Sequence, residues 1–426
     1  MQRITASAIR FINTDAKSLD LPPKNTNSMT GLSERILNLG ESATIAMSQH
    51  SRDLKAKGID VINLSLGEPD FNTPDFIKDA AKKAIDENYS FYPPVAGYLD
   101  VREAICRKLK QDNNLDYKAS QIVVSTGAKQ SIMNAVLCLV NPGDEVIIPA
   151  PFWVSYKEMV KYAEGDVVEI NTGVETSFKI TPEQLENSIT DKTRLFIFSS
   201  PSNPTGSAYS EDELRALAEV FARHPHVKVI SDEIYEHIRY TGTHFSLASI
   251  PQIHNQVLTV NGVSKAFAMT GWRIGYLAAN EDIAKACTKI QGQFTSAPSG
   301  ISQQAAMAAI EADPTEVSYM LKAFKTRRQL MIDGLSTIPG FVCNEPEGAF
   351  YLFPKVSAVF GKHHNGQTIN DATDLAMYLL SEAHVATVGG DAFGAPEYLR
   401  LSYATSNELL SEAIVRIKSA IENLAS

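Results

Sequence analysis

The stretch "VNGVSKAFAMTGWRIGY", residues 260–276, places two cations in an otherwise uncharged and largely apolar setting. Lys265 and Arg273 lie eight positions apart, and Gly271 and Gly275 flank the arginine. A lone ammonium group taken out of water loses much of its hydration energy or gives up its proton. We therefore expect both side chains to be buried against a ligand that neutralises them.

The composition bounds the class of protein. The 426 residues exceed the length of one typical core, so two domains are expected. The net charge is −10 and no basic run is interleaved with aromatic residues, which argues against a nucleic-acid or anionic-membrane partner. No apolar run is long enough to span a membrane. Four scattered cysteines without CxxC spacing (Cys106, Cys138, Cys287 and Cys343) indicate reduced thiols in a cytoplasmic protein, with no metal site.

The first 28 residues differ from the rest of the chain. "MQRITASAIRFINT" carries two arginines, no acidic residue and apolar residues at helical spacing, a pattern typical of a transit peptide. Asp15 and Asp20 follow soon after, and "LPPKNTNS" resembles a plain linker. We therefore favour a disordered N-terminal extension over residues 1–28, or a start of translation at Met29.

Short Val- and Ile-rich runs alternate with helical patterns from Met29 onward. The runs are typical of strands buried on both faces of a parallel sheet, and they cover residues 121–126, 144–149, 193–200, 227–232 and 256–262. Helical patterns cover residues 128–140 and 210–223, the second opening with Ser210 and Glu213 at the spacing of a capping box. This alternation predicts an α/β sheet whose ligands lie beyond the carboxyl ends of the strands. After about residue 320 a helical pattern precedes strands, which predicts a smaller α+β unit.

Polar residues follow several of the predicted strands. Thr126 and Gly127 lead from a strand into a helix whose first N–H groups suit a phosphate, although no Walker A loop is present. Asn203 follows a strand in "SNPTG", and Asp232 ends another in "SDEIY", with Tyr235 three residues later. Each of these features alone is equally typical of an ordinary turn or helix cap. No neighbouring His/Asp spacing supports a metal.

One ligand, pyridoxal 5′-phosphate, would account for these residues together. Its aldehyde would form a Schiff base with Lys265, and its phosphate would pair with Arg273 and the helix start at Gly127. Its ring nitrogen would need a carboxylate such as Asp232 to stay protonated. Its phenolic oxygen would accept from Asn203 and Tyr235. The two cations would thus be neutralised by an aldehyde and a phosphate.

The segment "GVSKAFAMTGWRIG" (262–275) resembles the pyridoxal-lysine signature of the class I aminotransferases, and "NPTG" and "SDEIY" resemble the same family in its usual order. The resemblance covers nearly the whole chain from Met29. It implies the α/β fold of fold-type-I transferases, with a mostly parallel seven-stranded sheet sandwiched by helices. It also implies an N-terminal arm and part of the small domain over residues 29–72, a large cofactor-binding domain over 73–320 and an α+β small domain over 321–426.

The segments "NLSLGEPDFNTP", "PAPFWVSY", "GDAFG" and "YLRLSYATS" are most similar to the aspartate aminotransferases common in bacteria. That likeness implies catalytic roles for Lys265, Asp232 and Tyr235. It implies cofactor contacts from Gly127, Ala128, Lys129, Trp153, Asn203, Asp232, Tyr235, Ser264, Lys265 and Arg273, with Trp153 stacked on the ring. It further implies that Tyr92 reaches the phosphate in a neighbouring subunit, and hence a homodimer with shared sites.

The same likeness implies how a dicarboxylic amino acid would bind. Arg400 would grip the α-carboxylate with its planar fork, helped by the backbone of Gly67 and by Asn203 and Trp153. Thr44 and Lys129 would hold the second carboxylate. A surface salt bridge for Arg400, a core position for Trp153 and a solvated helix start for Lys129 are the alternatives.

The implied activity is ping-pong amino transfer between L-aspartate and 2-oxoglutarate, giving oxaloacetate and L-glutamate. The alternatives are prephenate, aromatic or alanine specificity, a β-lyase on the same fold and, more remotely, a non-enzymatic pyridoxal-phosphate sensor. Two positions depart from the family pattern. Gly262 replaces a serine that often contacts the phosphate, and Gly40 and Glu41 stand where relatives that aminate prephenate tend to carry a basic residue.

Overall fold

The computed structural model describes residues 31–425. The chain divides into two units, residues 1–38 and residues 39–426, and the described part of the first holds one short helix, α1 (Glu34–Leu37). The predictions for residues 1–28, a disordered extension or a transit peptide, lie outside the described residues. Within residues 31–425 no helix is long and apolar enough to cross a membrane.

The second unit alternates helices and strands along the chain. Its helices are α2 (Ala43–Ala56), α3 (Asp75–Asp86), α4 (Leu99–Asn113), α5 (Ala128–Leu139), α6 (Ser155–Tyr162), α7 (Pro182–Ser188), α8 (Glu211–Arg223), α9 (Glu281–Phe294), α10 (Gly300–Ile310), α11 (Ser318–Leu335), α12 (Ala372–Tyr378) and α13 (Asn407–Glu422). Its strands are β1 (Ile62–Asn63), β2 (Ile122–Ser125), β3 (Glu145–Ala150), β4 (Asp166–Asn171), β5 (Thr193–Ser199), β6 (Lys228–Asp232), β7 (Val257–Gly262), β8 (Gly275–Ala278), β9 (Tyr351–Leu352), β10 (His363–His364), β11 (Gln367–Thr368), β12 (Val385–Ala386), β13 (Val388–Gly389) and β14 (Leu399–Ser402).

Seven of these strands form one sheet in the order β2-β8-β7-β6-β5-β3-β4. All neighbours pair in parallel except β8, which runs antiparallel to both β2 and β7. The predicted α/β class with a mostly parallel seven-stranded sheet is therefore confirmed. The five predicted strands correspond to β2, β3, β5, β6 and β7, and the predicted helices to α5 and α8.

Two strands of the sheet were not predicted from the sequence. β4 is an edge strand in which only Ile170 is fully buried, so it lacks the continuous apolar run expected of a buried strand. β8 spans four residues, and its first two belong to the lysine–arginine stretch, where the motif obscured its strand character. Its antiparallel direction brings its first residue, Gly275, opposite the last residue of β7, Gly262.

Helices cover both faces of the seven-stranded sheet. On one face Ile132 of α5 and Ile283 of α9 pack with Ile148 of β3 in one buried cluster. On the other face Ile105 of α4 and Phe221 of α8 pack with residues of the same strands and with α10. Alternate residues of each central strand thus enter two separate cores, because both faces of a parallel sheet are covered. The predicted sandwich of helices is confirmed.

A second, smaller arrangement of helices and strands is built from residues near both ends of the second unit. Strands β13, β14 and β9 form an antiparallel sheet, and β1 pairs in parallel with β12, which sets Ile62 opposite Val385. Met47, Leu64, Phe324 and Leu401 share one buried cluster with α11, α12 and α13. Residues before 72 and after 320 therefore contribute to a common core. The domain boundaries expected from the resemblance remain predictions.

Candidate active site

The candidate site lies at one edge of the large sheet, where several strands end. β2, β5, β6 and β7 end at this edge and β8 begins there, because it runs in the opposite direction. A cavity of about 260 Å³ opens at this edge. Among the residues that line it are Thr44, Gly67, Ala128, Lys129, Trp153, Asn203, Asp232, Tyr235, Ser264, Lys265, Arg273 and Arg400. The structure thus brings together all the site residues expected from the sequence except Gly127, which adjoins the cavity, and Tyr92.

Lys265 follows β7 and projects into the cavity as a half-buried amine. Its Nζ donates a hydrogen bond of 2.6 Å to the carbonyl oxygen of Gly67 and lies 5.9 Å from the ring centroid of Tyr235. Removal from water lowers the pKa of Lys265 to about 8, and the charges of Arg273 and Arg400 contribute in the same direction. An amine with this pKa is about a tenth deprotonated at pH 7, far more than an ordinary lysine, so part of it can act as a nucleophile or a base.

Arg273 lies beside the start of α5, but it is not buried. Its guanidinium donates to the carbonyl oxygens of Thr270 at 2.6 Å and Thr126 at 3.4 Å, and the side chain is exposed. The expectation that both cations of the lysine–arginine stretch are buried is therefore wrong for Arg273, because its guanidinium faces the open cavity. Gly127 adopts φ +84°, and a Cβ there would overlap that guanidinium. Glycine at position 127 therefore allows the Arg273 guanidinium to lie next to the start of α5.

Asp232 is the last residue of β6 and is buried at the floor of the cavity. Its Oδ2 accepts a hydrogen bond of 2.7 Å from the hydroxyl of Tyr156, and its Oδ1 accepts a longer one of 3.3 Å from the N–H of Ile234. Burial raises the pKa of Asp232 to about 6, while the Tyr156 hydrogen bond acts against the increase. The carboxyl group is therefore mainly ionised at neutral pH and can hold a protonated nitrogen.

Trp153 and Lys129 form one wall of the cavity. The Nζ of Lys129 lies 4.9 Å from the centroid of the Trp153 ring, and that ring meets Tyr156 edge to face at 5.4 Å. Burial, followed by the charge of Arg273, lowers the pKa of Lys129. Lys129 is therefore an exposed residue of the cavity wall whose ammonium group lies against an aromatic face.

Tyr235 and Tyr351 meet at the back of the cavity. Their hydroxyl groups share a hydrogen bond of 2.7 Å, and both side chains are buried. Gly67 approaches so closely that a Cβ at its position would overlap the Tyr351 hydroxyl. The residue at position 67 must therefore be glycine for its carbonyl oxygen to reach Lys265 while this tyrosine pair stays in place.

Arg400, on β14 of the small sheet, carries a buried guanidinium that is 1% exposed. It donates to Asn203 Oδ1 at 3.0 Å, to Thr44 Oγ1 at 3.4 Å and to the carbonyl oxygen of Ser65. It also lies 4.8 Å from the ring centroid of Tyr351, and its Nε has no hydrogen-bond partner.

All the partners of Arg400 are uncharged. Within residues 31–425 no carboxylate forms a salt bridge with it, and burial lowers its pKa. A buried cation without a counter-ion is costly, so the cavity favours an anion beside this guanidinium.

Tyr92 lies apart from these residues. Its side chain is 97% exposed and lines a separate, open cavity together with Phe91 and Pro298. Its expected role at a neighbouring subunit's phosphate stays a prediction.

Three polar residues of the site were not singled out in the sequence. Tyr156 lies one helical turn after Trp153, so its proximity to that residue was accessible from spacing, but its bond to Asp232 was not. Tyr351 comes from the small sheet and meets Tyr235 only through the tertiary fold. Thr270 donates to the carboxylate of Glu68, which fixes the segment after Gly67 against the lysine–arginine stretch.

The cavity has the donor set that pyridoxal 5′-phosphate requires. An arginine and the N-terminus of α5 lie where a phosphate would be neutralised, and a buried carboxylate at Asp232 would face a ring nitrogen. The unpaired guanidinium of Arg400 leaves a place for a further anion. The residues present therefore fit this cofactor together with an anionic substrate.

A separate group of side chains could in principle hold a metal ion. The ligand atoms of Glu233, Glu236 and His244 lie within 4.8 Å of one another. Each of the three is already bonded within the protein: Glu233 to His244 at 2.9 Å, and Glu236 to Asn113 at 2.8 Å. We interpret this group as an internal hydrogen-bonding network outside the candidate site.

The chain is similar to known proteins over most of its length. The family described as aminotransferase class I and II matches residues 59–417. A probable aspartate/prephenate aminotransferase from Rickettsia bellii is 48% identical over 93% of this chain and 100% of its own length. A bifunctional aspartate aminotransferase and glutamate/aspartate-prephenate aminotransferase from Petunia hybrida is 48% identical over 92% of this chain and 82% of its own length.

Solved structures agree with the sequence comparison. The aspartate aminotransferase of Rhizobium meliloti superposes with a TM-score of 0.89 at 43% identity, covering 92% of this chain and 99% of that one. The aspartate aminotransferase of Thermus thermophilus with maleate gives 0.87 at 38% identity, covering 92% and 100%. The fold, the match over most of the chain and the identity to these relatives agree with the family resemblance drawn from the lysine–arginine stretch. The chain belongs to the class I and II aminotransferases.

Proposed function

We propose that this protein transfers an amino group between L-aspartate and 2-oxoglutarate, forming oxaloacetate and L-glutamate, with pyridoxal 5′-phosphate as its cofactor. The observation that carries the proposal is the buried guanidinium of Arg400, which has no acidic partner among the described residues. A substrate carboxylate would neutralise it with two parallel hydrogen bonds. Several relatives are named for aspartate, which supports the choice of amino donor.

Two cations in the cavity support a dicarboxylic substrate. Arg400 would hold the α-carboxylate, with Asn203 and the Gly67 backbone orienting it. Lys129 would hold the second carboxylate, with Thr44 as a hydroxyl donor. Thr44 lies 3.4 Å from the Arg400 guanidinium, so it is near enough to contact either carboxylate. The Thermus thermophilus relative is a structure with maleate, itself a dicarboxylate.

The cofactor would be held by residues that already lie together. Arg273, Gly127, Ala128 and Ser264 would neutralise and orient its phosphate, since the helix start presents free N–H groups. Asp232 would keep the ring nitrogen protonated, and Trp153 would cover one face of the ring. Asn203 and Tyr235 would donate to the phenolic oxygen. When bound, the cofactor supplies a carbonyl that captures an amine and a ring that accepts the electron pair released at the substrate Cα.

Lys265 would perform the proton transfer. Its amine, with a pKa of about 8, is the group in the cavity best suited to take a proton from the substrate Cα and hold it on Nζ. The hydrogen bond to the Gly67 carbonyl oxygen orients Nζ toward the same cavity. Arg400 keeps the α-carboxylate fixed during the transfer, so that the Cα–H bond stays aligned.

We further propose that the active form is a homodimer with shared sites. Phe91 is 78% exposed and Tyr92 97% exposed, and the two are consecutive. A subunit interface would cover this apolar pair and place Tyr92 at the partner's phosphate. Light scattering on the purified protein, followed by cofactor affinity of Tyr92→Phe, tests both parts of the proposal.

Prephenate is a second candidate amino acceptor, because several relatives carry it in their names. The local residues favour 2-oxoglutarate instead. The N–H of Gly40 donates to Glu158, whose carboxylate also pairs with Lys161 at 2.8 Å, and Glu41 is exposed. No basic side chain stands at positions 40–42. We expect 2-oxoglutarate to have the higher kcat/KM of the two acceptors.

The deciding experiment measures product formation from three amino donors. L-aspartate, L-alanine and L-phenylalanine are each supplied with 2-oxoglutarate, and the corresponding oxo acid is measured. Oxaloacetate as the dominant product supports the proposal, and comparable turnover of alanine or phenylalanine contradicts the aspartate specificity. A thiol, pyruvate and ammonia formed from a separately added S-alkyl-L-cysteine without an acceptor would indicate a β-lyase, and no turnover with bound cofactor would indicate a sensor.

A further inference from the structure

A second cavity, of about 330 Å³, lies behind the segment that carries Lys265. Gly262, Val263, Ala266 and Phe267 line this rear cavity, whereas Ser264 and Lys265 line the active-site cavity. The two cavities share no lining residue. The short segment after β7 therefore forms a partition between them, and the rear cavity is not an extension of the substrate site.

Most of the wall of the rear cavity is apolar. Side chains from the partition, from α11, from the turn before α11 and from the segment after β6 enclose the space, among them Ile238, Val263, Phe267, Val317, Leu321 and Phe324. A space of this volume with aromatic and branched walls suits the apolar body of a small molecule.

At one end of the cavity a group of charged residues is already internally paired. Lys108 Nζ donates to Asn113 Oδ1 at 2.8 Å and to Glu236. The second carboxylate oxygen of Glu236 accepts from Asn113 at 2.8 Å, and His237 Nε2 lies 3.1 Å from Glu236. These groups have their partners within the protein and leave little capacity for a ligand.

Two other polar groups at this end have free capacity. Asp112 lies 3.7 Å from Lys108, beyond hydrogen-bond length, and its side chain is 28% exposed. Tyr276 is 2% exposed and lines the cavity, yet in the part of the chain that the structure describes its hydroxyl has no hydrogen-bond partner. This oxygen is not one of the fully enclosed polar atoms that lack a partner, so it is accessible from the cavity and can bond to a molecule held there. A carboxylate and a hydroxyl together accept hydrogen bonds from a cation.

We propose that the rear cavity binds a small organic ammonium ion, whose N–H group is held by Asp112 and Tyr276 and whose apolar body fills the space between the partition and α11. The partners within the cavity decide the charge of the ligand. Lys108 and Glu236 compensate each other, so the carboxylate of Asp112 leaves the polar end with an excess of negative charge. An anionic ligand would be repelled, and a neutral one would leave that charge uncompensated.

The test uses N,N-dimethyl-2-phenylethylamine, a tertiary amine that cannot condense with the aldehyde at Lys265. The full-length protein saturated with pyridoxal 5′-phosphate is titrated with this amine and with 2-phenylethanol, and Kd is measured by ligand-observed NMR. We expect the amine to bind saturably, with a Kd at least about tenfold lower than that of the alcohol. The reason is that only the amine can form a hydrogen bond between two charged groups.

Variants locate the site. Asp112→Asn is expected to abolish the preference for the amine over the alcohol. Tyr276→Phe is expected to raise the Kd of the amine several-fold without changing the fold, since only one oxygen is removed. Asp116→Asn is the matched control, because Asp116 is an exposed acid near the end of α4 that does not line the cavity. Unsaturable binding, equal Kd values for the two probes, or an amine Kd unchanged in both Asp112→Asn and Tyr276→Phe would each overturn the proposal.

Discussion

The hydroxyl of Tyr156 donates a hydrogen bond of 2.7 Å to Oδ2 of Asp232, at the floor of the active-site cavity. Both side chains are buried, so this hydrogen bond acts in an environment of low polarity, where electrostatic interactions are strong. Burial alone would raise the pKa of Asp232 further, and the tyrosine limits it to about 6. The pair therefore determines how far below neutral pH the carboxylate remains ionised.

Replacement of Tyr156 by phenylalanine should raise the pKa of Asp232 above about 6. A protonated Asp232 cannot hold the cofactor's ring N–H, so affinity for pyridoxal 5′-phosphate is lost as pH falls through that pKa. In the variant the loss should begin at higher pH, with affinity near pH 6 reduced by about tenfold and a smaller reduction at about pH 8. Equilibrium dialysis of the cofactor across this pH range measures the shift.

The matched control is Tyr319→Phe, which alters an exposed tyrosine outside the cavity. It should leave the pH dependence of cofactor affinity unchanged. If Tyr156→Phe lowers the affinity for the cofactor by the same factor at every pH, Tyr156 contributes packing and does not control the charge of Asp232.

Lys265 should react at a lower pH than an ordinary lysine. Because burial lowers its pKa to about 8, the rate of reductive capture by an aldehyde in the cofactor-free protein should rise as pH increases through about 8. Surface lysines should respond only above about pH 10. Peptide mapping of the borohydride-reduced product at a series of pH values gives both midpoints in one experiment.

Lys265→Arg should retain a positive charge and lose the nucleophile. We expect at least about a thousandfold loss of amino transfer and no borohydride-stable adduct at this position. Retention of activity by this variant would contradict the role of Lys265. Lys289→Arg, on α9 and outside the cavity, should behave as the unmodified protein.

Whether a site residue could be predicted from the sequence depends on whether local sequence features or only the tertiary fold bring it to the site. Asp232 ends a parallel strand and Lys265 and Asn203 each follow one, and such ends meet at one sheet edge, so their proximity could be predicted. Tyr351 could not be placed, because its contact with Tyr235 joins residues 116 positions apart, one on β9 of the small sheet and the other in the turn after β6. Local spacing carries no information on which side chain of a separate sheet will reach the cavity.

The prediction that Arg273 is buried was wrong for a related reason. Its neighbours are apolar, which predicts burial, but the backbone adopts φ +57° at this residue and turns the side chain toward the open cavity. β8 was missed because it begins within the lysine–arginine stretch, where the motif obscured its strand character. Pattern-based inference thus succeeded for long buried strands and failed where a single backbone conformation decided the outcome.

Arg400→Lys should lower kcat/KM for L-aspartate by about a hundredfold. An ammonium group keeps the charge but lacks the planar fork that contacts Asn203, the Ser65 carbonyl and a substrate carboxylate together. Affinity for a competing dicarboxylate such as maleate should fall in parallel. Arg416→Lys, at an exposed pair with Asp60, should change kcat/KM by less than about twofold.

Asp70→Asn should destabilise the fold and loosen the segment that contacts Lys265. Arg327 makes two hydrogen bonds of 2.7 and 2.8 Å to the Asp70 carboxylate, and its own side chain is largely buried. Loss of one partner should reduce the free energy of unfolding by about 1–3 kcal/mol, measured by urea denaturation. The control Glu345→Gln removes an exposed acid 3.7 Å from Arg328. It should change the free energy of unfolding by less than about 0.5 kcal/mol.

Gly67→Ala should impair the site through Tyr351. The added Cβ would overlap the Tyr351 hydroxyl but would lie at an ordinary distance of 3.7 Å from its ring carbon Cε1. Either the tyrosine pair separates, or residue 67 moves and its carbonyl oxygen leaves Lys265. Both outcomes should lower kcat/KM by at least about tenfold, since small displacements of catalytic groups have large effects.

The double variant Gly67→Ala/Tyr351→Phe separates this mechanism from a general loss of fit. Tyr351→Phe alone removes one hydrogen bond with Tyr235 and should reduce stability by only about 0.5–1.5 kcal/mol. In the alanine background the same change removes the overlapping oxygen, so it should restore most of kcat/KM instead of reducing it further. Effects that simply add, measured by kinetics on all four proteins, would show that the hydroxyl is not what requires glycine at position 67.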